Sequence, residues 1–342
     1  MTKLILHIGG FRTGSTSTQT AFWSSRRLLR RQGILYPETG LVIRAHHGLG
    51  LGVLGRGIDG LYPAPQCENI LDSLAREVES SGCDTVLVST ELFMLLLDDT
   101  FPTEGFEERF RRFLSLFDEV RVLCVVRHQA PLLESSYRFE VLRHDNRGRP
   151  VRECFKDYVC RWMEKPLLEY VAVEQFLHCI RPDIDFDFIS YATAIRSGAL
   201  VRHVYQRAGI AKAYRGEIWV NESQSRLGTL AVLLRNQRLL SHSLDRDAFL
   251  RWTKRRFPDR RDSLFDARLL EMLTTKYHAS NEWFADRFEI QVNDELASFR
   301  ETRRLAGPSL SQDELQHVNT TFRHRSHHPL IGSLLDFLGV AP

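Results

Sequence analysis

Residues 7–17 read His-Ile-Gly-Gly-Phe-Arg-Thr-Gly-Ser-Thr-Ser, and they form a glycine-rich turn between an apolar run and a helical pattern. A turn of this kind binds anions, because its backbone N–H groups and the start of the helix face the same point. Hydroxyl groups add donors, and one guanidinium adds positive charge. The stretch therefore predicts a phosphate-binding loop built from Gly10, Arg12, Thr13, Gly14, Ser15, Thr16 and Ser17.

The glycine spacing is that of a nucleoside triphosphate loop, GxxxxGK[ST], but one residue differs. Gly9 and Gly14 have the required separation, while Ser15 stands where that motif has lysine. The basic residue lies inside the loop instead, at Arg12. The alternative to a phosphate loop is a glycine turn that merely joins a strand to a helix.

The fold class follows from four short segments rich in aliphatic and β-branched residues. The first three are nearly continuous apolar runs, which is typical of strands buried on both faces of a parallel sheet. Helical patterns lie between them, including 15–31, 67–80, 106–117 and 130–143. Strands that alternate with helices predict an α/β fold with a doubly wound, mostly parallel sheet, its strands at Leu4–Ile8, Thr85–Ser89, Val120–Val126 and Asp185–Ile189.

The second half of the chain is predominantly helical. Beyond Asn221, apolar spacing predicts helices over 227–240, 248–257, 264–277 and 280–288. We expect one domain over 1–299, in which 221–299 is a helical C-terminal extension that helps to form the acceptor cleft. Residues 300–342 are expected to be a partly ordered tail, and the run Arg323–His328 lacks the spacing of a structural metal site.

Composition excludes several classes of protein. Of the 342 residues, 43% are hydrophobic and 26% are charged, as in ordinary globular proteins. A net charge of +3 is too small to predict nucleic-acid binding, and no apolar stretch approaches the length of a membrane span. The six cysteines form no CxxC pair and the N-terminus lacks a signal-peptide pattern, so free thiols and a cytoplasmic location are expected.

A second phosphate-binding group is predicted at the end of the third strand. Arg127 follows the apolar run 120–126, at the edge where open α/β sheets bind ligands. A guanidinium binds phosphate through two parallel hydrogen bonds, and Ser135 on the following helix offers a hydroxyl. Two anion sites fit a nucleotide phosphorylated at both ends. The alternative for Arg127 is a salt-bridged strand end.

Both motifs resemble those of the sulfotransferases that use 3′-phosphoadenosine 5′-phosphosulfate (PAPS), in particular their bacterial branch. The shared pattern is Leu6–Gly9, then Arg12–Ser17, then Gln19. Arg127 and Ser135 have the spacing with which that family holds the 3′-phosphate. The segment Asp187–Tyr191 is similar to a later strand that ends in tyrosine. The resemblance extends over about residues 3–288.

The resemblance implies a fold like that of the P-loop nucleoside triphosphatases, with PAPS as co-substrate and no metal. It implies that Tyr191 joins Arg127 and Ser135 in binding the nucleotide. It also implies a saccharide, lipid or small-metabolite acceptor, of which we expect a carbohydrate-bearing one. The stretch Trp219–Arg226 and the basic residues of 254–261 are candidates for acceptor contacts, or simply a solvated surface. The oligomeric state is left open.

Transfer of a sulfuryl group requires a base that takes the proton of the acceptor. Glu91 is the first candidate, because it directly follows a buried strand at the ligand-facing edge of the sheet. His46 and His47, in a glycine-rich loop, are the alternatives. Each has a purely structural interpretation: Glu91 as a carboxylate at a helix start, the histidines as polar loop residues.

Two other functions compete with this prediction. In a P-loop kinase or another nucleoside triphosphate enzyme, Arg12 would replace the missing lysine and Glu91 would hold Mg²⁺. In a non-catalytic nucleotide-binding protein of the same fold, Arg12, Arg127 and Ser135 would matter, whereas Glu91 and the histidines would be dispensable.

Overall fold

A computed structural model of the chain describes residues 1–57, 67–98, 102–143, 150–211, 224–239 and 245–323. The chain divides into two compact units. The first comprises Met1–Leu132, Met163–Asn221 and Tyr277–Glu295, and the second comprises Leu133–Trp162, Glu222–Lys276 and Leu296–Pro342. The helical extension predicted for 221–299 is therefore distributed over both units.

The secondary-structure elements of the first half of the chain alternate between strands and helices. In chain order they are β1 Lys3–His7, α1 Ser15–Ser24, α2 Arg26–Arg31, β2 Ile34–Leu35, α3 His47–Leu54, α4 Cys67–Ser81, β3 Thr85–Ser89, a 3₁₀ helix Glu91–Leu97, α5 Phe106–Leu114, β4 Glu119–Val126 and α6 Gln129–Arg143.

The second half is mostly helical, as its sequence predicts. The elements are α7 Phe155–Met163, a 3₁₀ helix Pro166–Leu168, α8 Tyr170–Ile180, β5 Asp185–Ser190, α9 Tyr191–Arg196, α10 Leu200–Arg207, α11 Arg226–Asn236, α12 Arg246–Arg256, β6 Asp262–Ser263, α13 Ala267–Phe288, α14 Asn293–Thr302, β7 Arg304–Leu305 and α15 Gln312–Arg323.

The first unit is built on a parallel sheet of five strands in the order β2-β3-β1-β4-β5. In the register of the central pairs, Lys3 lies opposite both Thr85 and Glu119. The chain leaves β1 toward β2 on one side of the sheet, whereas it leaves β4 toward β5 on the other. The carboxyl ends of β1 and β4 therefore meet at a topological switch point, where open α/β sheets bind ligands.

Helices cover both faces of this sheet. On one face, Ile5, Leu87 and Leu123 share a buried cluster with Phe22 of α1 and Tyr205 of α10. On the other, the ring of Phe188 in β5 packs edge-on against aromatic rings of α13, and Phe186 packs against His178 of α8. The near-continuous apolar strands of the sequence thus bury both of their faces.

The second unit contains buried arginine side chains that hydrogen-bond to several of its segments. Arg138 of α6 donates to Glu134 at 2.7 Å and to the backbone carbonyls of Gln224 and Asp262. Arg226 of α11, which is almost fully buried, pairs with Glu314 at 2.6 Å. Because a buried charge is tolerated only when it is paired and hydrogen-bonded, these networks fix the helices of the unit.

The four predicted strands are present as β1, β3, β4 and β5, so the α/β class is confirmed and the arrangement is compatible with a doubly wound sheet. The helix predicted over 15–31 is divided at Ser25, and those predicted over 264–277 and 280–288 form the single helix α13. Among the described residues, no helix is long and apolar enough to cross a membrane. Residues 212–223 and 324–342, which include much of the proposed acceptor stretch and of the tail, lie outside the described residues.

Candidate functional site

The predicted phosphate loop joins β1 to α1 at the carboxyl edge of the sheet. It is tied to β4, since Gly10 donates its N–H to the carbonyl of Val125 at 3.3 Å. Within the loop, the hydroxyl of Thr13 donates to the carbonyl of Gly10 at 2.5 Å, and Arg12 adopts a left-handed conformation with φ 59°. A left-handed conformation in a residue with a side chain costs about 1–2 kcal/mol. The loop is therefore a strained turn held in place by its neighbours.

Gly14 begins α1 in the left-handed region, with φ 79°. Gly14 has no side chain that could cap the helix, and its carbonyl accepts from the N–H groups of Ser17 and Thr18 at 3.0 and 3.1 Å. The N–H groups that precede them, at the start of a helix, are of the kind that binds anions. Ser15 is buried, Ser17 is half-buried and Thr16 is exposed. The start of α1 thus presents donors of the kind that a phosphate requires.

Replacing Gly14 by alanine is expected to lower the free energy of unfolding by more than the same change at Gly33. Both glycines are left-handed, with φ 79° and 74°. A methyl group at residue 14 would lie 2.3 Å from Cδ2 of Leu200, whereas at residue 33 no atom lies within 4 Å. We expect about 1 kcal/mol for G33A and at least about 2 kcal/mol for G14A, measured by urea denaturation. Equal losses would contradict the tight packing of Gly14 against α10.

Arg127, directly after β4, contacts the phosphate loop. Its Nη1 donates to the backbone carbonyl of Arg12 at 3.0 Å, and its Nε donates to Oε1 of Glu295 at 2.8 Å. Its guanidinium carbon lies 4.6 Å from the ring centre of Tyr191, in a cation–π contact. The hydroxyl of Tyr170 is hydrogen-bonded to both the N–H and the carbonyl of Arg127. The side chain is therefore held between the loop, α8, α9 and α14.

Tyr191 is the first residue of α9 and is half-buried. A Cβ atom at Gly14 would lie 3.9 Å from its ring, which places the tyrosine beside both the loop and Arg127. The structure thus brings together Arg12, Gly14, Arg127 and Tyr191 within the first unit. Ser135 is half-buried in α6 and belongs to the second unit.

Glu91 lies at the end of β3 and begins a 3₁₀ helix. Nε2 of Gln19, from α1, donates to its Oε2 at 2.5 Å. Nε2 of His47 lies 3.9 Å from Oε1, and Nδ1 of the same ring is 3.2 Å from the hydroxyl of Thr90. The Glu91 side chain retains 19% exposure, so solvent or an acceptor can reach it. The amide of Gln19 holds one carboxylate oxygen and leaves the other facing His47.

His46 occupies a different environment from His47. It is fully buried, its Nδ1 accepts from the N–H of Ser89 at 3.0 Å, and its Nε2 donates to the carbonyl of Pro37 at 3.0 Å. Burial lowers the pKa of His46 to about 4, so the ring is neutral. Because both ring nitrogens are used by the backbone, we interpret His46 as a structural residue that fixes the end of β3 beside Glu91.

His7 lies beneath the phosphate loop. Burial lowers the pKa of His7 to about 4, and its Nδ1 is 2.7 Å from the hydroxyl of Ser89. A Cβ atom at Gly9 would lie 2.9 Å from Nε2 of the ring, so only glycine fits there without a shift. Ser89 is therefore hydrogen-bonded to both histidines, through its hydroxyl to His7 and through its N–H to His46. These bonds link the loop to the end of β3.

The sequence motif contains Gln19 but gives no indication that it binds Glu91, and nothing in the sequence points to Glu295 or Tyr170. Each acts through a contact with a residue far away along the chain. Among the described residues, no group of three or more His, Cys, Asp or Glu side chains is arranged to hold a metal ion. Comparison with protein-family models and with curated proteins gave no match to this chain.

Proposed function

We propose that the protein is a sulfotransferase that moves the sulfuryl group of PAPS to a hydroxyl or amine acceptor. The observation that carries the proposal is the contact between the two predicted phosphate motifs: Nη1 of Arg127 donates to the carbonyl of Arg12 at 3.0 Å. Residues 115 positions apart thus share one edge of the sheet, at its switch point. A nucleotide phosphorylated at both its 5′ and 3′ positions requires two anion-binding groups in one site, which the two motifs would supply.

In the proposed reaction, the acceptor oxygen forms a bond to sulfur while the bond from sulfur to the 5′-phosphate oxygen breaks. Glu91 takes the proton of the acceptor, and Gln19 holds its carboxylate in place. Arg12 and the N–H groups at the start of α1 stabilise the charge that develops on the leaving phosphate. The products are the sulfated acceptor and adenosine 3′,5′-bisphosphate. A carbohydrate-bearing acceptor is our working hypothesis from the resemblance.

The test is a calorimetric titration of the purified protein with adenosine 3′,5′-bisphosphate in the absence of metal. ADP alone and ATP with Mg²⁺ serve as controls. We expect a dissociation constant in the micromolar range or below for the bisphosphate, at least tenfold lower than for ADP, because only the bisphosphate engages both motifs. A preference for ATP with Mg²⁺ would contradict the proposal in favour of a kinase-like enzyme.

Binding does not distinguish an enzyme from a nucleotide-binding protein of the same fold. A second assay therefore incubates PAPS with a panel of saccharide and small hydroxyl acceptors and follows the release of the bisphosphate. Turnover that requires Glu91 supports the enzyme. Tight binding without turnover on any acceptor of the panel would support the non-catalytic alternative.

A further inference from the structure

The carboxylate of Glu295 occupies an anion-binding position at the end of β4. Its Oε1 accepts from Nε of Arg127 at 2.8 Å, and its Oε2 accepts from the backbone N–H of His128 at 2.9 Å. A guanidinium and a backbone N–H beside the start of a helix are donors that bind phosphate in proteins. Glu295 comes from α14 and lies 168 positions away from Arg127 along the chain.

The carboxylate and a phosphate cannot use these donors at the same time. Each donor is already within hydrogen-bond distance of a carboxylate oxygen, and a phosphate monoester carries a charge of about −1.5 to −2 at neutral pH. Two anions in contact repel each other strongly where water is partly excluded, and these side chains are only 15% and 13% exposed. A 3′-phosphate that binds Arg127 must therefore displace the carboxylate of Glu295 or bind beside it in spite of the repulsion between the two negative charges.

The start of α14, which carries Glu295, is linked by hydrogen bonds to the start of α6, which follows β4. Asn293 accepts from Asn281, and Asn281 exchanges hydrogen bonds with Gln129 at the start of α6. These neutral side chains make their hydrogen bonds without Glu295, so they can keep residues 293–295, the start of α14, in place when the carboxylate leaves its donors. The side chain alone then has to rotate.

We propose that Glu295 competes with the 3′-phosphate of the nucleotide for the guanidinium of Arg127 and the backbone N–H of His128. This inference rests on the proposed function and adds a role in product release to it. When adenosine 3′,5′-bisphosphate leaves, the carboxylate returns to the guanidinium and compensates its charge. Glu295 thereby weakens the binding of the product, and release of product limits the turnover of many enzymes.

The test compares two ligands that differ only in the 3′-phosphate, adenosine 3′,5′-bisphosphate and adenosine 5′-phosphate. The variant Glu295→Gln removes the charge while keeping the shape of the side chain. We expect it to bind the bisphosphate about tenfold more tightly, with a correspondingly slower dissociation in stopped flow. Its affinity for the 5′-phosphate should change by less than about twofold.

Asp294→Asn is the matched control. Asp294 lies next in sequence and its side chain is 55% exposed, with its carboxylate 3.7 Å from Arg196. Removing its charge tests whether any negative charge in this turn has the same effect. We expect less than a twofold change for either ligand, because a solvent-exposed charge is screened.

A second variant, Glu295→Asp, retains the charge but shortens the side chain by one methylene group. Competition predicts that affinity for the bisphosphate increases in the order wild type, Asp, Gln. A purely positioning role for Glu295 predicts the reverse order and would overturn the inference while leaving the proposed function intact. If neither the wild type nor the variants bind the bisphosphate, both the inference and the proposed function are wrong.

Discussion

Replacing Arg127 by alanine is expected to weaken the binding of adenosine 3′,5′-bisphosphate about 100-fold, because hydrogen bonds to charged groups contribute about 1.5–3 kcal/mol. The change removes the guanidinium that contacts Arg12, Tyr191 and Glu295. It also leaves the carboxylate of Glu295 without its arginine, so that this charge repels the phosphate. Calorimetric titration of both proteins with the bisphosphate measures the effect.

Two comparisons make this experiment specific. Adenosine 5′-phosphate, which lacks the 3′-phosphate, should lose less than about threefold in affinity. Arg121→Gln is the matched control, because Arg121 lies in β4, six positions before Arg127, and pairs with Asp187 at 2.6 Å. It should leave the affinity for both ligands unchanged. An equal loss for the two ligands in Arg127→Ala would mean that Arg127 supports the loop without binding a 3′-phosphate.

The sheet of the first unit is predictable because its strands bury both faces. Leu4–Leu6 and Val86–Val88 are nearly inaccessible to solvent, so selection for burial leaves a continuous apolar run in the sequence. The strand β2 has only two residues, too few for any periodicity to appear. The break at Ser25 between α1 and α2 involves neither glycine nor proline, and serine, although common at helix starts, is too frequent elsewhere to predict a break by itself.

The sequence predicts candidate site residues only where the pattern consists of neighbours along the chain. The turn around Gly14 and the arginine after β4 are local features, and parallel strands bring them to one edge. Glu295 and Tyr170 contact Arg127 from segments that are distant along the chain. The type of a residue does not predict such a long-range contact. Likewise, His46 and His47 are adjacent in sequence, yet only the fold buries the first and leaves the second beside Glu91.

Acidification from pH 7 to pH 5 is expected to lower the free energy of unfolding by about 2 kcal/mol for each of His7 and His46. Burial holds the pKa of both at about 4 in the folded protein, against about 6.5 when the chain is unfolded. Between these values the unfolded chain binds more protons than the folded one. The stabilisation is therefore complete above about pH 6.5 and is lost as the pH falls toward 4.

The variant His46→Gln separates this effect from the general acid sensitivity of the protein. Glutamine retains an N–H that can donate to the carbonyl of Pro37 but has no group that titrates in this range. We expect the variant to be less stable at pH 7 and to lose about 2 kcal/mol less than the wild type between pH 7 and pH 5, measured by urea denaturation.

His278→Gln is the control, because His278 is exposed in α13 and its ring is hydrated in both states. If His46→Gln and the wild type lose the same amount, the imidazole of His46 is not held neutral between Ser89 and Pro37. In that case it would return as a candidate base beside Glu91, because a ring nitrogen that does not accept from the N–H of Ser89 is able to accept a proton.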